Sequence, residues 1–140
     1  MLRALAILVV AIFSTAAPHA EEENDSSPVD RLLEQVSRDL KKLSRQFENP
    51  ASRESSLALA DALIEAASKA KELEPESVGD RTGAEREEYM ALYHQGMDAL
   101  LVQFQTLKTA LEKEEPGTAE AAIEEAYALR EKYHTELDVR

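Results

Sequence analysis

Four stretches of this chain repeat apolar residues at steps of three and four, and none of useful length alternates apolar with polar residues. Steps of three and four put side chains on one stripe of an α-helix, so each stretch is predicted to be an amphipathic helix. Each helix must bury its stripe, and four successive helices can bury their stripes against one another. Because the connections are short, the sequence predicts an all-α, antiparallel up-down-up-down four-helix bundle over residues 28–140.

Proline, glycine and capping residues set the limits of the predicted helices. Ser27 and Pro28 favour a helix start, since serine offers an N-cap oxygen and proline suits the first helical position. The pair Pro116-Gly117 is expected to interrupt the chain, with Thr118 capping the last helix. The four helices are therefore expected at about 28–48, 52–73, 84–112 and 118–137.

Each predicted helix has its own set of residues expected to face the core. In chain order these are Val29, Leu32, Leu33, Val36, Leu40, Leu43 and Phe47; Leu59, Ala60, Leu63, Ile64, Ala67, Ala70 and Leu73; Met90, Tyr93, Met97, Leu100, Leu101, Phe104, Leu107 and Leu111; and Ala122, Ile123, Ala126, Leu129, Arg130, Tyr133 and Leu137. The second set is rich in alanine, so its neighbours can approach that helix closely.

The first twenty residues differ in kind from the rest. Arg3 is their only charge, an apolar run follows it, and small residues end the segment. This order is typical of a secretory signal peptide, and the run is shorter than the roughly 20 apolar residues that span a bilayer. We therefore expect a signal peptide at 1–20, cleaved after Ala16 or Ala20, then a flexible acidic lead-in at 21–27. No stable membrane anchor is expected.

Charge and cysteine content narrow the function further. The chain carries a formal net charge of −12, which repels nucleic acid and anionic lipid and favours cationic partners. It has no cysteine, so its stability cannot come from disulfides, as it often does in small exported domains. The packing of the helices, with or without a cofactor, has to supply the stability of the fold.

In an antiparallel bundle, the unusual side chains of the sequence fall at one end. The starts of the first and third helices meet the ends of the second and fourth there, and the rest of the core is mostly aliphatic. The residues gathered at that end are Leu33, Met90, Tyr93, His94, Met97, Arg130, Tyr133 and His134. Histidine, with methionine as a second ligand in some proteins, holds haem iron.

The same residues also have ordinary structural interpretations. A histidine near a helix C-terminus, such as His134, is favoured by the helix dipole. Methionines at helical spacing usually fill a core, and an arginine such as Arg130 can extend its head to water. Enzymatic activity is not expected, because the chain lacks HExxH, a glycine-rich phosphate loop and a nucleophile with a base. One Glu-x-x-His, Glu131 to His134, occurs, but a di-iron bundle needs two.

Two blocks carry a family resemblance. Residues 93–100 (YHQGMDAL) resemble the opening of the third helix of the cytochrome b562 family, and residues 130–134 (REKYH) resemble the end of its fourth helix. The distance between the blocks agrees without a gap. The likeness extends more loosely to the first helix, through Leu33-Glu34 and residues 39–41.

The resemblance implies a non-covalent haem b at the bundle end. The family's axial histidine carries over to His134, whereas its axial methionine position holds Leu33 here. Tyr93 and Met97 match residues that pack on the haem, and Arg130 is expected beside a haem edge. The open alternatives are ligation by His134 alone, replacement of the lost ligand by Met97 (or by Met90), and loss of the cofactor.

Two functions follow from these expectations. The first is a periplasmic, cytochrome b562-like protein that binds haem b and transfers electrons, with a basic protein as redox partner. The second is a haem-free helical bundle of the cell envelope that serves in binding or as a scaffold. Leu33 favours the second, because it restores apolar surface where the ligand would be.

Overall fold

The computed structural model describes residues 26–137, and this part of the chain contains four α-helices and no strand. They are α1 (Pro28–Gln46), α2 (Arg53–Glu72), α3 (Gly83–Glu112) and α4 (Pro116–Glu136). The all-α four-helix bundle predicted from the apolar periodicity is confirmed. The predicted signal peptide and residues 21–25 of the lead-in lie outside the described residues.

The start of α1 was predicted correctly. Ser27 and Asp30 form a capping box: the Ser27 hydroxyl accepts from the Asp30 amide at 3.1 Å, and the Asp30 carboxylate accepts from the Ser27 amide at 3.3 Å. Two backbone donors that the helix leaves unpaired are thereby satisfied.

The predicted start of α4 at Thr118 was wrong. The helix begins two residues earlier, at Pro116, and no side chain caps it. Pro116 starts the helix because its missing N–H would be unpaired there anyway and its φ already suits the helix.

The connection between α2 and α3 is tied to the end of the bundle. It contains a short 3₁₀ helix, Glu76–Val78, and the Arg81 guanidinium donates to the carbonyl oxygens of Ser77 at 2.6 Å and Val78 at 3.1 Å. That guanidinium also lies 4.3 Å from the centre of the Tyr89 ring. The Tyr89 hydroxyl donates to Ser77 and lies 3.3 Å from the carbonyl oxygen of Leu137, just after α4. These bonds fix one end of the bundle.

The interfaces between the helices are unequal. Helices α1 and α2, α2 and α3, and α3 and α4 pack extensively, whereas α1 and α4 touch at only a few residues. The bundle is therefore a series of three antiparallel pairs with an open seam between its first and last helices.

Most residues predicted to face the core do so. Phe104, Leu43, Leu63 and Leu107 are fully buried, and alanines of α2 let its neighbours come close. The exceptions are Leu73, which is 38% exposed, and Arg130, which is exposed because its long side chain carries the charged head to water. Within the described residues, no helix is both long enough and apolar enough to cross a membrane.

Candidate functional site

The open seam forms a cleft of about 540 Å³ between α1 and α4, with α3 as its floor. Its lining is largely apolar, and it includes Leu33 on one wall and His134 on the other. The lining residues are Ser26, Val29, Asp30, Leu33, Glu34, Val36, Ser37, Arg38 and Leu40 from α1 and the residues before it; Pro75 and Ser77; Tyr93, Gly96, Met97, Leu100 and Phe104; and Ala126, Arg130, Tyr133, His134 and Leu137.

The floor of the cleft holds two side chains that the sequence singled out. Tyr93 and Met97 lie one turn apart on α3, and each is 4% exposed. The Tyr93 hydroxyl donates to the backbone carbonyl of Ala70 on α2, which fixes the ring at the edge of the cleft. Burial, with a smaller contribution from Tyr89, raises the pKa of Tyr93 to about 12. The phenol therefore stays neutral near physiological pH.

Gly96 lets α4 come close to α3 beside the cleft. A Cβ atom there would lie 2.8 Å from two carbons of the Tyr133 ring. Real Cβ atoms essentially never come so close, so the Tyr133 ring occupies the space that a side chain at position 96 would need. Glycine inside a helix costs stability, and the close contact with Tyr133 explains why a glycine nevertheless occupies position 96.

The α4 wall carries the two chemically distinctive groups of the cleft. Arg130 and His134 lie one turn apart in the last turns of α4, and both are exposed. Neither has an ion-pair partner within residues 26–137. An imidazole can donate an electron pair to a metal, and a guanidinium can bind a carboxylate in two places.

The cleft gathers all five residues predicted to contact a cofactor: Leu33, Tyr93, Met97, Arg130 and His134. Met90, the alternative second ligand, is half-buried on α3 and does not line the cleft, and neither does His94. Both were expected at this end from their position along the helix. Residue 94 follows the buried Tyr93 and so faces about 100° away from it around the helix.

Sequence reasoning missed several lining residues. Leu40, Leu100, Phe104 and Ala126 were identified as core residues, with no indication that they border a cleft. Gly96 gave the clearest available signal, because a glycine inside a long helical stretch often marks a close approach of another element.

The arrangement suits a largely apolar molecule that carries a metal and an acidic group. The described residues contain no cluster of three or more histidine and carboxylate side chains that would hold a bare metal ion. A metal held mainly by its own macrocycle needs fewer ligands, and haem is often held by a single histidine. His134 supplies an imidazole, and Arg130 supplies a cation at the edge of the cleft.

Comparison with known proteins identifies the family of the chain. The family model described as cytochrome b562 matches residues 29–137, which is well over half of the chain and runs from the first turn of α1 to the residue after α4. Searches of curated proteins and of solved structures gave no match. The matched span includes both walls and the floor of the cleft, and the chain belongs to the cytochrome b562 family.

Proposed function

We propose that this protein binds haem b in the cleft between α1 and α4 and carries electrons in the periplasm. Its family consists of haem-binding electron carriers and is not a family of enzymes. The observation that carries the proposal is the convergence of His134, Tyr93 and Met97 on one apolar cleft although they lie on two different helices.

The size and chemistry of the cleft fit the cofactor. A volume of about 540 Å³ lies within the range of roughly 300–1,000 Å³ found for small-molecule sites. Apolar side chains from α1 and α3 would exclude water from a macrocycle, and His134 is the imidazole that lines the cleft. One histidine is enough to hold haem iron in several protein families.

Each residue has a defined task in this proposal. His134 would hold the haem iron, while Tyr93, already fixed by its bond to Ala70, would line the bound macrocycle. Arg130 would pair with the acidic edge of the cofactor. Bound haem supplies the one-electron chemistry, and the protein sets the ligand, the burial and the access of solvent.

The net charge supports a basic redox partner, and the N-terminal segment supports a periplasmic location. A formal net charge of −12 favours a basic redox partner, because complementary charge accelerates encounter. The first twenty residues have the pattern of an export signal, which is consistent with a periplasmic carrier.

Leu33 favours a second candidate function, a haem-free bundle that binds or organises other envelope components. It lines the α1 wall and gives apolar surface where an additional ligand would be placed. In this alternative the cleft takes no haem, and its walls serve as an ordinary apolar surface.

A haemin titration followed by absorbance separates the two functions. We expect a saturable shift of the haem absorption band at one haemin per chain. This shift should be lost in His134→Ala and kept in His94→Ala, since His94 does not line the cleft. No shift in the wild type would reject the haem-binding function in favour of the haem-free bundle, and equal shifts in the two variants would reject His134 as the ligand.

A further inference from the structure

We infer that the α1 wall supplies no iron ligand and instead keeps the side of the cleft facing His134 open to a small, neutral, diatomic ligand such as carbon monoxide or nitric oxide. The inference rests on the proposed haem binding and adds a ligand class to it. It is argued from the side chains that line the cleft and from the partners they already have.

The α1 wall is apolar at its centre. Leu33 is flanked there by Val29, Val36 and Leu40, which all line the cleft, and the last three are at most 6% exposed. Aliphatic side chains have no electron pair to give a metal. They also offer no hydrogen-bond donor to a ligand bound there.

The polar groups near Leu33 already have partners. The Asp30 carboxylate belongs to the capping box of α1, and the Ser37 hydroxyl donates to the Leu33 carbonyl oxygen at 3.0 Å. Glu34 lies 3.8 Å from Arg38 one turn later, and its side chain is 56% exposed. Moving either carboxylate from water and its partner to the apolar centre of the cleft would cost free energy.

Met97 is the remaining soft donor, and its position does not make it the counterpart of His134. It lies on α3, the floor of the cleft, and α3 packs directly against α4. Two axial ligands must approach a flat macrocycle from opposite faces. Met97 lies beside the helix of His134 rather than across the cleft from it, and it is already packed in the core at 4% exposed.

An apolar pocket of this kind selects among small ligands. The polarity and hydrogen-bond donors of a haem pocket decide whether oxygen is bound or activated. Carbon monoxide and nitric oxide are neutral and need no donor, so an aliphatic wall accepts them. Dioxygen acquires charge when it binds and gains no stabilisation from Val29, Leu33 or Val36.

The test compares the haem-loaded protein with a variant that restores a donor on α1. The reduced wild type should have a five-coordinate, high-spin absorption spectrum and should show a saturable shift with carbon monoxide. Leu33→Met should lose the high-spin spectrum and require carbon monoxide to displace the thioether. Leu32→Met, at a neighbouring position that does not line the cleft, is the matched control and should behave as the wild type.

The outcomes separate this inference from the proposed function. A reduced protein that is low-spin and unresponsive to carbon monoxide, and that becomes high-spin in Met97→Leu, overturns the inference while haem binding stands. Failure to take up haemin overturns both. Haem uptake lost in His134→Ala, together with a carbon monoxide shift that saturates at a lower carbon monoxide concentration in the wild type than in Leu33→Met, supports both.

Discussion

The ring of Tyr133 lies against the backbone of Gly96, so close that a Cβ atom at position 96 would come within 2.8 Å of the ring carbons Cγ and Cδ1. Cγ is at the base of the ring, near the α4 backbone, so the ring cannot swing aside as the far end of a flexible side chain would. The contact sets how closely α4 approaches α3, and thereby the position of one wall of the cleft.

Gly96→Ala should therefore destabilise the protein. Overpacking typically costs about 1–3 kcal/mol, which outweighs the gain of about 0.5–1 kcal/mol for replacing glycine inside a helix. In a Tyr133→Ala background the same substitution should become stabilising by about 0.5–1 kcal/mol, because the clash is gone. Chemical denaturation of the wild type, the two single variants and the double variant measures both steps, and the same sign in the two backgrounds would contradict the contact.

Loss of the capping box at the start of α1 should cost stability. Ser27→Ala removes the oxygen that accepts from the Asp30 amide, and such substitutions typically cost about 0.5–2 kcal/mol. Ser52→Ala is a matched control, since Ser52 is the N-cap residue of α2 but makes no capping bond with its side chain. Thermal unfolding should show a lower midpoint for the first variant only. Equal effects would mean that the capping bond contributes nothing.

Tyr93 should make the fold sensitive to alkaline pH. Its pKa is raised from 10.0 to about 12, so the native state favours the neutral phenol over the phenolate more strongly than the unfolded state does. The resulting stabilisation is fully present below pH 10.0 and is lost as the pH rises through about 12. Tyrosinate absorbance and unfolding midpoints across this range measure the effect.

The comparison for that prediction is Tyr93→Phe. At neutral pH it should cost about 0.5–1.5 kcal/mol, because the hydrogen bond to Ala70 is lost. Between pH 10.0 and about 12 it should lose less stability than the wild type. Parallel losses in the two proteins would contradict the raised pKa.

Two positions on α3 should differ sharply in their response to truncation. Leu107 is 0% exposed, and its replacement by alanine should cost about 2–5 kcal/mol, through lost burial and the cavity left behind. Val102 is 55% exposed, and Val102→Ala should change the free energy of unfolding by no more than about 0.5 kcal/mol. Urea unfolding of both variants tests which face of α3 is buried. Similar losses in the free energy of unfolding would contradict this assignment.

The helices could be predicted well because the hydrophobic burial that drives their packing leaves a periodic apolar pattern in the sequence. An apolar step of three and four residues has one stable outcome in a chain of this composition, and Ser27 with Pro28 marks a helix start by a local bond. The start of α4 was missed because a Pro-Gly pair is equally compatible with a chain turn. Whether it forms a turn or starts a helix depends on how the first helical residues after it pack against α3. Local propensity does not contain that information.

The site was predicted in part for a similar reason. Antiparallel topology brings Leu33, Tyr93 and His134 to one end whatever the details of packing, and family resemblance assigned their tasks. The open seam could not be predicted, because a stripe shows which residues are buried but not which pairs of helices pack tightly. The position of His94 along α3 was right, but it faces about 100° away from Tyr93. Met90 lies two turns before Met97 on nearly the same face and is half-buried beyond the residues that line the cleft.

The sparse contact between α1 and α4 also bears on how the chain reaches its fold. Every extensive interface joins two helices that follow one another in sequence, and the pairing with the largest sequence separation is the one left incomplete. Proteins dominated by such local contacts fold fast, because no long loop has to be closed first. The polypeptide can thus assemble as three successive hairpins before anything enters the cleft, and a molecule bound there would then become the principal link between the beginning and the end of the chain.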